Sequence, residues 1–208
     1  MNTQYQSEWS EISTSLNKMP LHIKASDQAK IQGKPIFDPV ASNQYIKNAL
    51  VNLEWHSNIP IPQKYKFLGK DVDFGKSGII LESQFSNYPF LLNNLLRSEL
   101  FFKSSTEFVG TPTKLLLIIT KAQIFPAANS TLYYEQAVKQ LSALIDNNVF
   151  DIPIRLMGLF EPTNVNISAI YTVYQSTRHS RIAQSQVNCK CQLIPNRYAS
   201  KRYKIEII

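Results

Sequence analysis

Asp73, Glu82 and Gln84 fall in one stretch, Asp71-Val-Asp73-Phe-Gly-Lys-Ser-Gly78-Ile-Ile-Leu-Glu82-Ser-Gln84, where a carboxylate in a turn-prone segment precedes a strand carrying a second carboxylate and an amide. The run from 78 to 85, Gly-Ile-Ile-Leu-Glu-Ser-Gln-Phe, reads as that strand. Side chains two apart share a face, so Glu82 and Gln84 point one way and Leu81, Ser83 and Phe85 the other. Gly75 and Gly78 give the chain the freedom to fold back and set the Asp73 carboxylate beside Glu82. Two hard oxygen donors at one spot suit Mg²⁺, which takes one or two carboxylates and completes its shell with waters and phosphate oxygens. Such an ion polarises a phosphoryl oxygen and acidifies water, the chemistry of phosphodiester hydrolysis. Gln84 is no base near neutral pH, and its amide suits orienting a water or a ligand. Taken alone, the same residues also fit a solvated turn aspartate and an edge-strand glutamate, because so short a pattern recurs by chance.

The surrounding elements must bring these groups together. Trp9, Ile12, Leu16 and Met19 sit at helical spacing between Glu8 and Pro20, and a second helix is expected with Ser42 as its cap and Ile46, Leu50 and Leu53 on one face. His56 to Gln63 holds two prolines and reads as an extended loop, with a short strand at Tyr65 to Leu68. The segment 87 to 103 is apolar nearly all round, with Pro89 tolerated in its first turn, and reads as a buried helix or one at a subunit interface. Lys114 to Thr120 reads as an interior strand, Thr131 to Asp146 as a helix, and Ile152 to Phe160 and Ile167 to Tyr174 as further strands. This order predicts an α/β fold, a mixed central β-sheet flanked by helices in a three-layer core. With no internal repeat and no linker, residues 1–208 are expected to form a single domain.

The chain has 208 residues, 44% of them hydrophobic, a size and composition that suit one sizeable core. Its longest apolar run, Leu115 to Ile119, is too short for a membrane span, and the N-terminus lacks the pattern of a signal peptide. A cytoplasmic protein with no membrane partner is expected. Cys189 and Cys191 make half a zinc site at most, and His22, His56 and His179 are scattered, so the cysteines read as reduced thiols. The net charge of +7 favours a polyanionic partner, and basic residues crowd the C-terminal segment from about 178 to 208. That segment suits contact with a phosphate backbone and equally suits a solvated basic terminus.

Several stretches together carry a resemblance. Lys18-Met-Pro-Leu-His-Ile-Lys-Ala-Ser-Asp-Gln-Ala29, Phe37-Asp-Pro-Val40, Asn43-Gln-Tyr-Ile-Lys47, Asn58-Ile-Pro-Ile-Pro62, Asp73-Phe-Gly-Lys76, Gln84-Phe-Ser-Asn-Tyr-Pro-Phe-Leu-Leu-Asn-Asn94 and Asn129-Ser-Thr-Leu-Tyr-Tyr-Glu-Gln136 closely resemble type II restriction endonucleases of the PD-(D/E)xK superfamily. The resemblance runs from about residue 9 to about residue 181 and fades beyond it. It implies a homodimer that makes Mg²⁺-dependent double-strand cuts in a short palindrome centred on GATC, of the type AGATCT, leaving 5′-phosphates. By similarity Asp73 and Glu82 would ligate the metal, and Asn58 would lie in the active-site pocket. Gln84 would stand where most of the superfamily carry lysine, which leaves the general base open. A cognate DNA methyltransferase is expected as a genetic partner.

The resemblance also implies that Ser86 and Asn87, Asn129 and Ser130, and Arg178, His179 and Arg181 face the major groove of double-stranded DNA. The residue types fit, since Asn pairs bidentately with adenine, Arg with guanine, and Ser with either. His179 stands where the resembled enzymes carry Tyr, which leaves the identity of an outer base pair open. Asn87, or Asn129 with Ser130, could equally cap the helices that follow, and Arg178 could position the protein on phosphates. Two other functions suit the same fold, a DNA-binding protein without catalysis and a nuclease that recognises DNA structure. A sugar hydrolase using Asp71 or Asp73 with Glu82 is a remote third.

Overall fold

The computed structural model describes residues 3–128, 130–176, 181–196 and 203–208. After a 3₁₀ turn at Thr3–Tyr5 come α1 (Gln6–Asn17), β1 (Leu21–Ala25), a second 3₁₀ turn (Ala29–Ile31), β2 (Pro35–Phe37), α2 (Pro39–Val51) and β3 (His56–Pro60). A 3₁₀ segment (Gln63–Leu68) leads into β4 (Asp71–Lys76), β5 (Ile79–Ser83), α3 (Pro89–Lys103) and the short strands β6 (Glu107–Phe108) and β7 (Thr111–Pro112). The chain closes with β8 (Leu115–Lys121), α4 (Tyr134–Asp146), β9 (Ile154–Leu159), β10 (Ile167–Tyr174), β11 (Ala183–Pro195) and β12 (Tyr203–Ile207).

Among the described residues the long strands form two five-stranded sheets. The central sheet has the order β3-β4-β5-β8-β9, antiparallel from β3 to β5 and parallel from β5 through β8 to β9. Strand β8 is buried along its whole length, which its unbroken Leu-Leu-Leu-Ile-Ile run requires. Its odd residues, Leu115, Leu117 and Ile119, join a core with Ile12, Ile46 and Leu50 of α1 and α2. Its even residues, Leu116 and Ile118, join a second core with Leu91 and Leu95 of α3 and Leu141 of α4. The central sheet is thus the middle of three layers, as the alternation of elements implies.

The mixed α/β class agrees with the sequence expectation, and a second sheet is added to it, in the order β12-β11-β10-β1-β2. Its Leu21, Ile23, Ala169, Cys191, Leu193 and Ile205 share the core of α1 and α2. The described part of the basic C-terminal segment is therefore sheet, and its signal was the alternation of Cys189, Cys191 and Leu193. The cysteines are free thiols, as expected.

Three local expectations are corrected. Helix α2 begins at Pro39 and is capped by Asp38, whose Oδ1 accepts from the N–H groups of Val40 (3.0 Å) and Ala41 (3.2 Å), while Ser42 lies inside the helix. Asp followed by Pro at the first helical position is the stronger start signal. The segment taken as a loop forms β3, and Pro60 is accommodated because β3 is an edge strand. Tyr65 to Leu68 is 3₁₀ helix, since the apparent alternation of Tyr65 and Phe67 buries nothing on Phe67, which is 78% exposed. No helix among the described residues is long and apolar enough to cross a membrane.

Candidate active site

Asp73 lies on a strand, not in a turn. The turn is at Ser77 and Gly78, both at positive φ (53° and 83°), the pattern of a tight two-residue hairpin. A side chain at Gly78 would also strike the Pro112 carbonyl at 2.8 Å. Strands β4 and β5 then pair as Lys76–Ile79, Gly75–Ile80 and Phe74–Leu81, so Asp73 and Glu82 take the next facing positions. The regular ladder stops there, and Asp73 Oδ2 instead accepts the Ser83 N–H at 2.8 Å. Val72 packs in the α3/α4 core and Phe74 in the opposite one, so the pleat slips at Asp73. On the other side, β3 pairs with β4 through His56–Gly75, Ser57–Phe74, Ile59–Val72 and Pro60–Asp71, which leaves Asn58 across from Asp73. Asn58 sits at φ 52°, a conformation Asn tolerates, and its exposed amide oxygen accepts from Lys47 Nζ at 2.8 Å.

Glu82 and Gln84 share a face, as strand parity requires, and both meet α3. Arg97 Nη2 donates to Glu82 Oε1 at 2.6 Å, and Arg97 Nη1 donates to the Asp71 carbonyl at 3.2 Å. Asn94 Nδ2 donates to Gln84 Oε1 at 3.1 Å. Gln84 Nε2 donates in turn to the Asn87 carbonyl at 3.1 Å and Ser86 Oγ at 3.3 Å. The Gln84 amide thus links the strand of carboxylates to the segment bearing Ser86 and Asn87. Arg97 and Asn94 were missed in the sequence. Their signal was two polar residues three apart among the apolar residues of the helix, the spacing that puts both on one face.

The electrostatics of the pair suit a cation. Burial and then the neighbouring Asp73 charge push Glu82 up to about 8, against the pull of Arg97. Burial also raises Asp73, against the Ser83 N–H and Arg97. A buried and a half-buried carboxylate face one guanidinium, and a hard divalent ion would balance their charge. Among the described residues no group of three or more His, Cys, Asp or Glu gathers, and the Asp73–Glu82 pair offers two hard oxygen donors, the kind Mg²⁺ takes. The residues present fit that ion.

The expected recognition residues come together in part. Ser86, Asn87 and Ser130 are exposed, and Asn87 bridges to Thr131 in antiparallel fashion. The Leu132 N–H reaches the Ser86 carbonyl (2.8 Å) and the Tyr88 N–H the Ser130 carbonyl (3.0 Å). Arg181 is exposed and lines a cavity of about 310 Å³ with Phe85, Ala128, Thr131 and Lys121. Asn129, Arg178 and His179 lie outside the described residues.

The comparisons with known proteins converge on this arrangement. The family model for restriction endonuclease BglII/BglIII matches residues 1–159. The type II restriction enzyme BglII of Bacillus subtilis is 52% identical over 198 residues, covering 93% of this chain and 89% of its own length. The crystal structure of restriction endonuclease BglII complexed with a DNA 16-mer superposes with a TM-score of 0.94 at 50% identity, over 98% of this chain and 93% of that one. Free BglII superposes with a TM-score of 0.75 at 47% identity, over 100% of this chain and 93% of that one. The match therefore extends past residue 181, where the sequence resemblance faded, and the chain belongs to the BglII/BglIII family of type II restriction endonucleases.

Proposed function

We propose that Asp73 and Glu82 hold Mg²⁺ and that the enzyme cuts both strands of a GATC-centred palindrome of the type AGATCT. The observation that supports this most directly is the half-buried Asp73 and buried Glu82 carboxylates in facing positions, short of positive charge, in a chain of this family. When bound, the ion would polarise the scissile phosphate and offset the charge that develops on its oxygens. Arg97 keeps the Glu82 carboxylate from swinging away and lends it one positive charge. Asn58, across the sheet from Asp73, borders the place where the phosphate would lie. Gln84 holds the main chain of Asn87, so the catalytic strand and the recognition segment move as one piece.

Ser86, Asn87, Asn129, Ser130, Arg178, His179 and Arg181 read the bases. The better agreement with DNA-bound than with free BglII supports this arrangement as the DNA-engaged one. A palindrome calls for a two-fold symmetric reader. Helix α3 exposes Phe90, Leu92 and Leu96, and α4 exposes Val138 and Ile145, the apolar surface of a homodimer. Residues 1–208 act as one domain in the cytoplasm, alongside a DNA methyltransferase that protects the host's own sites.

Digestion of a plasmid of known sequence in Mg²⁺, followed by sequencing of the ends, tests the reading. Expected are discrete fragments with 5′-phosphates at AGATCT. Retardation of the plasmid without cutting in Mg²⁺ or Mn²⁺ would favour a catalytically inactive binding protein, and cutting without a sequence pattern a structure-specific nuclease.

A further inference from the structure

Lys121, the last residue of β8, has a relative exposure of 0% and, among the described residues, forms no ion pair with a carboxylate. Its ammonium spends its three donors on Thr131 Oγ1 (2.5 Å), the Phe85 carbonyl (3.0 Å) and the Leu132 carbonyl (3.3 Å). The rings of Phe37, Tyr133 and Phe85 lie 5.3, 5.3 and 5.9 Å from it. Burial without an opposing charge lowers its pKa to about 7, so the fold carries a substantial cost at this position. A buried amine held by two loops and no acid is not needed to fill a core, which leucine or methionine does without that cost.

What Lys121 joins is specific. Phe85 precedes Ser86 and Asn87, while Thr131 follows Ser130, so both bonded segments carry recognition residues. Thr131 Oγ1 donates onward to the Phe85 carbonyl at 2.9 Å, which closes a three-way joint. Thr120 beside it donates to the Gln84 carbonyl at 2.8 Å and ties the joint to the catalytic strand. The cavity lined by Arg181 opens against the same Lys121, Phe85 and Thr131.

We propose that Lys121 is a positioning residue for sequence discrimination, whose buried ammonium holds the 85–87 and 130–132 segments in one register beneath the DNA. It touches no base itself. It sets the relative height of Asn87 and Ser130, so a correct base pair and an altered one meet donors and acceptors already in place. This rests on the proposed reading of a GATC-centred site and assigns that reading one more determinant.

The test uses the full-length enzyme and Lys121→Met, which keeps the side chain's length. The Phe85 carbonyl retains the Thr131 hydroxyl as its donor, so the variant should fold. Cleavage is measured in Mg²⁺ on a duplex containing AGATCT and on duplexes with one central base pair replaced, and binding to an unrelated duplex is measured without metal. Each base pair is normally discriminated by about tenfold to a hundredfold or more. The expected result is a loss of at least about tenfold in the ratio of kcat/KM between the two kinds of site, with binding to unrelated DNA unchanged. An unchanged ratio, or an equal fall on every duplex, overturns the proposal. If Lys121→Met does not fold, Thr131→Val, which removes the relay hydroxyl at constant volume, is read the same way. Loss of the fold in both variants also overturns it, because the joint then serves stability. A wild-type enzyme that does not distinguish the duplexes instead refutes the underlying reading of the site.

Discussion

Replacing Glu82 by Gln removes a carboxyl that holds its proton more tightly folded than unfolded. Its rise from 4.5 to about 8 corresponds to roughly 5 kcal/mol. The side chain is almost fully buried, so solvent screens little of this. The folded state binds the extra proton between about pH 4.5 and pH 8, so the associated stability is complete below that window and lost as pH rises through it. Wild-type metal-free protein should therefore lose stability relative to Glu82→Gln with a slope of up to about 1.4 kcal/mol per pH unit between pH 5 and 8. Removing the carboxylate also deprives Arg97 of its partner, but arginine stays charged throughout, so that loss shifts the variant's curve without tilting it. The assay is urea unfolding in EDTA at fixed protein concentration across that range, since dimerisation would otherwise contribute. Parallel curves for the two proteins would refute the argument that Glu82 is a buried carboxylate lacking a cation.

Asp73→Asn should lower Mg²⁺-dependent cleavage by at least about a thousandfold while leaving metal-free DNA retardation measurable, and a normal cutting rate would remove Asp73 from the reaction. Leu96→Asp alters a residue that is 62% exposed on α3, so the monomer should fold while dimer affinity falls by about a hundredfold or more in sedimentation; an unchanged dimer would place the interface elsewhere. Asp38→Ala deletes the α2 cap and the acceptor of the Tyr174 hydroxyl at 2.7 Å, and should cost about 2 kcal/mol in urea unfolding. Mg²⁺ should stabilise the wild-type fold increasingly from pH 6 to pH 8, because the ion displaces the proton from Glu82, and Glu82→Gln should lose most of that gain.

What the sequence alone determined is what local periodicity and long motif stretches encode. A period of two put Glu82 and Gln84 on one face, an unbroken apolar run made β8 an interior strand, and the spacing from Gly78 to Asp73 allowed the fold-back. Local signals can mislead: Ser42 reads as a cap although Asp38-Pro39 starts the helix, and the prolines near residue 60 hide an edge strand. Only the tertiary structure decided the rest, because those facts concern side chains far apart in the chain. It set Asp73 opposite Glu82, gave Glu82 and Gln84 their partners Arg97 and Asn94 on α3, and showed Lys121 bridging Phe85 to Thr131 across 36 and 10 residues. Burial is a property of packing, and burial is what turns an ordinary glutamate into a carboxyl near pH 8 and a lysine into an amine near pH 7.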